Sequence, residues 1–158
     1  TDVLFFNHEL PDTPILTKRM FLSAIATIFD PAGLIAFAVI PAKLLLQNAF
    51  RRNLRWDEEL PEDIQRDIER WMSAMGHLKE LRIPRSLSGS TSSPVVNRQL
   101  HLFSDSSEAA YASNCYLHSR HKDGTITCCL VATKNRLAPL RTKITIPRLE
   151  LNGCLLSA

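Results

Sequence analysis

Apolar side chains recur along this chain with two different periods, and the change from one to the other falls near its middle. The first sixteen residues hold Pro11 and Pro14 and no sustained period, so they read as an extended lead-in whose Phe5 and Phe6 pack on the next element of the chain. Thr17 sits where a helix N-cap belongs. After it Phe21, Leu22, Ile25, Ile28 and Phe29 recur at helical spacing, predicting about three turns that stop at Asp30-Pro31 and Gly33, because proline cannot continue the ladder. Pro41 suits the first turn of a second helix, which turns Leu44, Leu45 and Ala49 to a core and ends in Arg51, Arg52 and Arg55, favourable near a helix C-terminus. A third helix starts near Pro61 with Glu62 and Asp63 in its first turn. It lines up Ile64, Ile68, Trp71, Met72, Met75 and Leu78 as a core stripe.

Residues 86–94 are rich in serine, contain Gly89 and Pro94 and show no apolar period, which predicts a flexible connection and a domain boundary. Beyond it the pattern becomes strand-like. Val95 to Phe103, Tyr111 to His118 and Thr125 to Thr133 read as three strands, with Asp123-Gly124 marking a hairpin between the last two. The basic, proline-interrupted segment from Lys134 to Thr145 reads as a loop, and a final helix opens near Pro147. The expected class is therefore α+β. A lead-in (1–16) and a three-helix region (17–85) precede a serine-rich linker (86–94) and a mixed domain (95–158) that holds three strands and the start of a helix, as in a piece of a longer polypeptide.

Composition narrows the class without naming a function. Hydrophobic residues at 45% and charged residues at 22% are globular values, and disorder is excluded. A net charge of +3 names no partner, but it is uneven. From Ser119 onward Arg120, Lys122, Lys134, Arg136, Arg141, Lys143 and Arg148 face only Asp123 and Glu150. Cys115, Cys128, Cys129 and Cys154 show neither C-x-x-C nor zinc-ligand spacing, so buried, reduced thiols in an intracellular protein are expected, cytoplasmic or nuclear. The longest apolar run, Leu34 to Leu46, is broken by Pro41 and Lys43 and falls short of the ~20 residues of a membrane span, so no membrane partner is expected.

Two acids carry the candidate chemistry. The run LHLFSDSSEAAY delivers Asp105 at the end of an apolar strand, and ITIPRLEL carries Glu150 into a helix. Two-metal hydrolysis of a phosphodiester needs carboxylates converging on ions about 4 Å apart, and acids on a strand end and a neighbouring helix can meet that need. Each acid also has a plainer reading. Asp105 to Glu108 resembles a capping box opening a helix EAAYASN, and Glu150 in a first helical turn suits the macrodipole. His101 reads as a strand-face histidine with a local hydrogen bond, the Cys128-Cys129 pair as core, and no nucleophilic triad spacing occurs.

The order of strand with Asp105, hairpin, loop and helix with Glu150 is similar to the order in which ribonuclease H folds present their first two acids. The blocks TKRMFLSAIATIFDPAGLIAF, IPAKLLLQ, RWDEELPEDIQRDIERW, ELRIPRSL, HLFSDSSEAAYAS and LAPLRTKITIPRLEL resemble the polyprotein of BEL/Pao-type LTR retrotransposons, where reverse transcriptase joins its ribonuclease H-like domain. The resemblance runs from Thr17 to the last residue. It implies that 17–85 is a thumb and connection region and that 95–158 begins an incomplete ribonuclease H-like domain. It further implies that Asp105 and Glu150 are catalytic acids that hold Mg²⁺, or Mn²⁺ in its place, in the complete domain. The partners it implies are an RNA–DNA hybrid, whose backbone Lys134, Arg136, Arg141, Lys143 and Arg148 would track, and the remainder of the polyprotein. Ser106 stands where the family tends to show Ala, Asn152-Gly153 replaces small apolar residues, and Phe37 falls where a proline is common, as in a drifted copy. No paired polymerase aspartates occur and further nuclease acids are missing, so the chain alone is expected neither to polymerise nor to cleave efficiently. The alternative is a non-catalytic nucleic-acid-binding or interaction remnant.

Overall fold

The structure is a computed structural model that describes residues 2–6, 11, 13–89 and 91–158. Its helices and strands divide into two compact units. One holds residues 5–30 and 37–81, the other residues 1–4, 31–36 and 82–158. The division after Leu81 falls ahead of the serine-rich segment, and the Pro31-Ala32-Gly33 turn between the first two helices belongs with the strands.

In the helical unit, α1 spans Lys18–Ala26, α2 Ala36–Arg51 and α3 Glu62–Gly76, followed by a 3₁₀ turn His77–Glu80. Thr17 caps α1 as expected, its hydroxyl accepting from Met20 N at 3.3 Å. The helix ends sooner than its apolar spacing predicts. Thr27 folds its hydroxyl back on Ala24 O at 2.8 Å, and Phe29 beyond it is 83% exposed. Pro41 is interior to α2 and not in its first turn, because the helix already starts at Ala36. Pro41 cannot donate to Phe37 O, and the next carbonyl along, Ala38 O, accepts the Trp71 indole N–H at 2.8 Å. Ile64, Ile68, Trp71 and Met75 form the buried stripe of α3, and Trp71 meets Phe21 edge to face at 5.6 Å. Lys18 is 4% exposed, its ammonium 4.1 Å from the Phe50 ring centroid. Exposed ion pairs lie on the unit's surface, Arg19 with Asp57, Arg52 with Asp63 and Arg70 with Asp67.

The sheet unit holds a short antiparallel pair, β1 (Val3–Leu4) with β2 (Ile83–Pro84), and a three-stranded antiparallel sheet in the order β3 (Val95–Ser106), β4 (Ala110–His121), β5 (Ile126–Leu137). α4 spans Ile146–Leu155, with Pro147 in its opening turn as the sequence suggests. All three strands outrun their apolar cores. β3 continues through Asp105 to Ser106, so DSSE is no helix cap: Ser107 accepts from the amides of Ala109 and Ala110, both at 3.3 Å, and EAAYASN becomes β4. The second hairpin turns at Lys122-Asp123-Gly124, where Gly124 takes φ +86° and Asp123 Oδ1 accepts from Thr125 N at 2.9 Å. That amide is the main reason the Asp123 carboxyl titrates below its ordinary value.

Two segments without regular structure are fastened to this sheet. Thr133 N on the outer edge of β5 donates to Ala32 O at 2.8 Å, and Asn135 Nδ2 reaches Ala36 O at 3.3 Å. Gly33, at φ +69°, lies so close that a Cβ there would stand 1.9 Å from Thr133 O. The serine-rich segment is likewise held rather than free. His121, 2% exposed, pairs Nδ1 with Ser93 O at 2.8 Å and Nε2 with Thr127 Oγ1 at 3.0 Å, and Thr127 also approaches Ser88 O.

Candidate functional site

The strand alternation decides what each side of β3 presents. Ser104 faces α4, its Oγ 3.3 Å from Cys154 Sγ, and its partner across the ladder, Ser113, meets Ser157 Oγ at 2.6 Å. Asp105, one residue on, therefore projects from the opposite face, on the side of Phe103 and His101. On that face Phe103 packs edge to face on Tyr116 with centroids 5.9 Å apart, and His101 lies 5.5 Å from the His118 ring. His101 has a ring neighbour there and no side-chain hydrogen bond among the described residues.

α4 turns Leu149 and Gly153 inward, one helical turn apart. A Cβ at Gly153 would lie 3.4 Å from Ser104 Cβ and 3.5 Å from the carbonyl oxygens of Asp105 and Ala112. The helix thus lies against the backbone of Asp105, one residue before the end of β3. Glu150 precedes Gly153 by three residues, on the flank of the inward stripe, and is exposed. It lies past the first turn, so the macrodipole does not explain its position.

The two acids lie on elements that meet at one end of the sheet, Asp105 near the end of β3 and Glu150 on the helix seated against it. Asp105 Oδ1 accepts from its own neighbour, Ser106 N, at 2.8 Å, and both carboxylates are exposed. Among the described residues no group of three or more His, Cys, Asp or Glu side chains could hold a metal ion. The hydroxyl of Ser106 is buried with no hydrogen-bond partner among them.

The basic residues fall into two groups. Lys134 and Arg136 are on β5 rather than in a loop, because the β4–β5 ladder continues through Ser113–Lys134 and Tyr111–Arg136. Arg141 and Lys143 occupy the true loop, and Arg148 the first turn of α4. All five are exposed and none forms an ion pair among the described residues. The thiols depart from expectation: all four are free, but Cys128 and Cys154 are exposed and Cys115 and Cys129 only half-buried. β5 turns its side chains to both faces of an open sheet, so adjacent cysteines cannot both enter a core.

A sequence comparison assigns these elements. The family described as Pao retrotransposon-like RNaseH-like domain matches residues 17–158. The chain belongs to that family. The RNase H-like domain of a BEL/Pao retrotransposon polyprotein accounts for a mixed fold in which a strand with Asp105, a hairpin and a helix with Glu150 follow in that order. The match begins at Thr17, the N-cap of α1, so the family takes in the helical unit as well as the sheet. No curated protein and no solved structure matches the chain. No helix among the described residues is long and apolar enough to cross a membrane.

Proposed function

We propose that this RNase H-like chain holds the backbone of an RNA–DNA hybrid through Lys134, Arg136, Arg141, Lys143 and Arg148. In the complete polyprotein, Asp105 and Glu150 then contribute two of the carboxylates that hydrolyse the RNA strand. Family membership and one contact support this reading: Gly153 of α4 seats against the Asp105 backbone and so brings the helix of Glu150 to the strand end that carries Asp105. The five cations add to it. Arg148 stands in the first turn of α4, where the macrodipole disfavours positive charge and a phosphate would compensate for it.

Mg²⁺ or Mn²⁺ is the cofactor the family implies, and the described residues do not by themselves fit it. Two exposed carboxylates, one of them engaged by a backbone amide, with no third His, Cys, Asp or Glu grouped with them among the described residues, supply too few ligands for a two-ion site. No catalytic step is therefore assigned to a metal on this chain. What its own residues do is bind phosphate and position the acid-bearing elements. The same observation favours a second reading, a binding module that cuts nothing even within the polyprotein.

Salt-titrated binding to a labelled hybrid tests the first part. Affinity should fall steeply between about 50 and 200 mM salt, and Lys134→Gln with Arg136→Gln should flatten the slope by about one for each lost phosphate contact. Binding that ignores salt, or a double variant with the wild-type slope, contradicts it.

A further inference from the structure

The serine-rich segment offers a feature that hybrid binding does not use. Ser88 sits in an irregular turn, half-buried, between exposed Leu87 and Gly89 at φ +73°. Its hydroxyl accepts from Arg98 Nη2 of β3 at 3.2 Å. Arg98 is exposed and has no carboxylate partner among the described residues, so a full positive charge rests on a neutral oxygen. A guanidinium satisfied by one long bond to a hydroxyl retains four further donor hydrogens for an anion formed there. Upstream, Arg85 precedes Ser88 by three residues and Arg82 by six. The Arg85 side chain is largely exposed, 3.5 Å from the Asp2 carboxylate, and its amide donates to Asp2 O at 3.1 Å. A hydroxyl preceded by arginines at those spacings carries the charge pattern read by protein kinases whose substrate grooves are lined with carboxylates.

We propose that Ser88 is a phosphorylation site and that Arg98 is the receptor for its phosphate. The γ-phosphoryl group of ATP passes to Ser88 Oγ, ADP leaves, and the hydroxyl proton is released. The product carries close to two negative charges beside Arg98 and becomes the acceptor of a charge-assisted pair. Because Ser88 O already lies near Thr127 Oγ1 and Ser93 O accepts from buried His121, the phosphate tightens the segment onto the sheet. Access to the kinase comes through local opening of the turn around Ser88, which the sheet holds by few hydrogen bonds.

The test treats the full chain with an arginine-directed serine kinase and Mg-ATP, localises phosphate by mass spectrometry, and follows the phosphoserine by ³¹P NMR through its second ionisation. The expected result is one phosphate on Ser88, absent in Ser88→Ala and largely lost in Arg85→Ala. Its second pKa should lie below the ordinary value of ~6 and move back up in Arg98→Gln. Circular dichroism of each variant establishes that the fold is retained. No incorporation, incorporation on Ser86 or Ser92 instead, or a second pKa indifferent to Arg98→Gln overturns the proposal.

Discussion

The two units bury different things. The helical unit encloses Phe21, Ala24, Ile64, Ile68, Trp71 and Met75 almost completely, an apolar interior made by three helices that each give up one stripe. The sheet's own most buried residues are Ser113, Ser119 and His121, while several of its large apolar side chains stay open, Leu100 at 63% exposed, Phe103 at 57% and Ile126 at 58%, and Leu117, Leu130 and Val131 are only half-buried. In one unit, packing fixes the backbone. In the other, backbone pairing and a few fastenings at the sheet's rim hold the strands, α4 covers part of one face through Leu149 and Gly153, and much of the remaining apolar surface stays open. A candidate site at the end of such a sheet depends on those fastenings and on the seating of α4.

The contrast predicts where substitutions act. Phe21→Ala removes a fully buried ring that Trp71 packs against and should cost the helical unit about 3–5 kcal/mol, read as faster amide exchange along α3. Should the α3 amides keep their protection, the core description is wrong. Gly33→Ala attacks a fastening. Its Cβ cannot coexist with Thr133 O at 1.9 Å and the left-handed φ disfavours any side chain, so a cost of about 2–4 kcal/mol should appear as lost protection of the Thr133 amide. Ser106→Ala reverses the sign: it deletes a buried hydroxyl without a partner and should stabilise the sheet by up to about 1 kcal/mol in chemical denaturation.

The smallest effect is electrostatic and belongs to the helical surface. The Arg19 guanidinium, by its hydrogen bond, holds the Asp57 carboxyl below its ordinary value, and Arg52 does the same to Asp63. A depressed carboxyl contributes stability above its unfolded pKa and loses it as pH falls through the folded one. These pairs therefore add a small increment near neutrality that fades below the usual carboxylate range, and it should vanish from an acid titration of an Asp57→Asn, Asp63→Asn variant.

The helices are legible in the sequence because their partners are local. Ile64, Ile68, Trp71 and Met75 announce a buried stripe by spacing alone, and Thr17 announces its cap. Pro41 misleads because the start of α2 at Ala36 leaves no local signature, and the helix is held beside it by a distant contact, the Trp71 indole on Ala38 O, thirty-three residues away. Spacing underestimates the strand ends for a similar reason. Ser104 to Ser106 and Lys134 to Leu137 have little strand propensity, and cross-strand pairing overrides it. Gly33 looks like a simple helix stop, since nothing near it in sequence reveals that its neighbour is Thr133. At the site, residue types and order locate Asp105 and Glu150, but spacing cannot say that Ser104, not Asp105, faces α4.

Cleavage is the most direct test of the account. A labelled RNA–DNA hybrid incubated with the parent polyprotein and Mg²⁺ should lose its RNA strand, and Asp105→Asn or Glu150→Gln should reduce that cleavage by about 10³-fold or more while leaving hybrid affinity unchanged, as expected for groups that act in the chemical step. Cleavage at the wild-type rate in either variant would contradict the assignment of these two carboxylates.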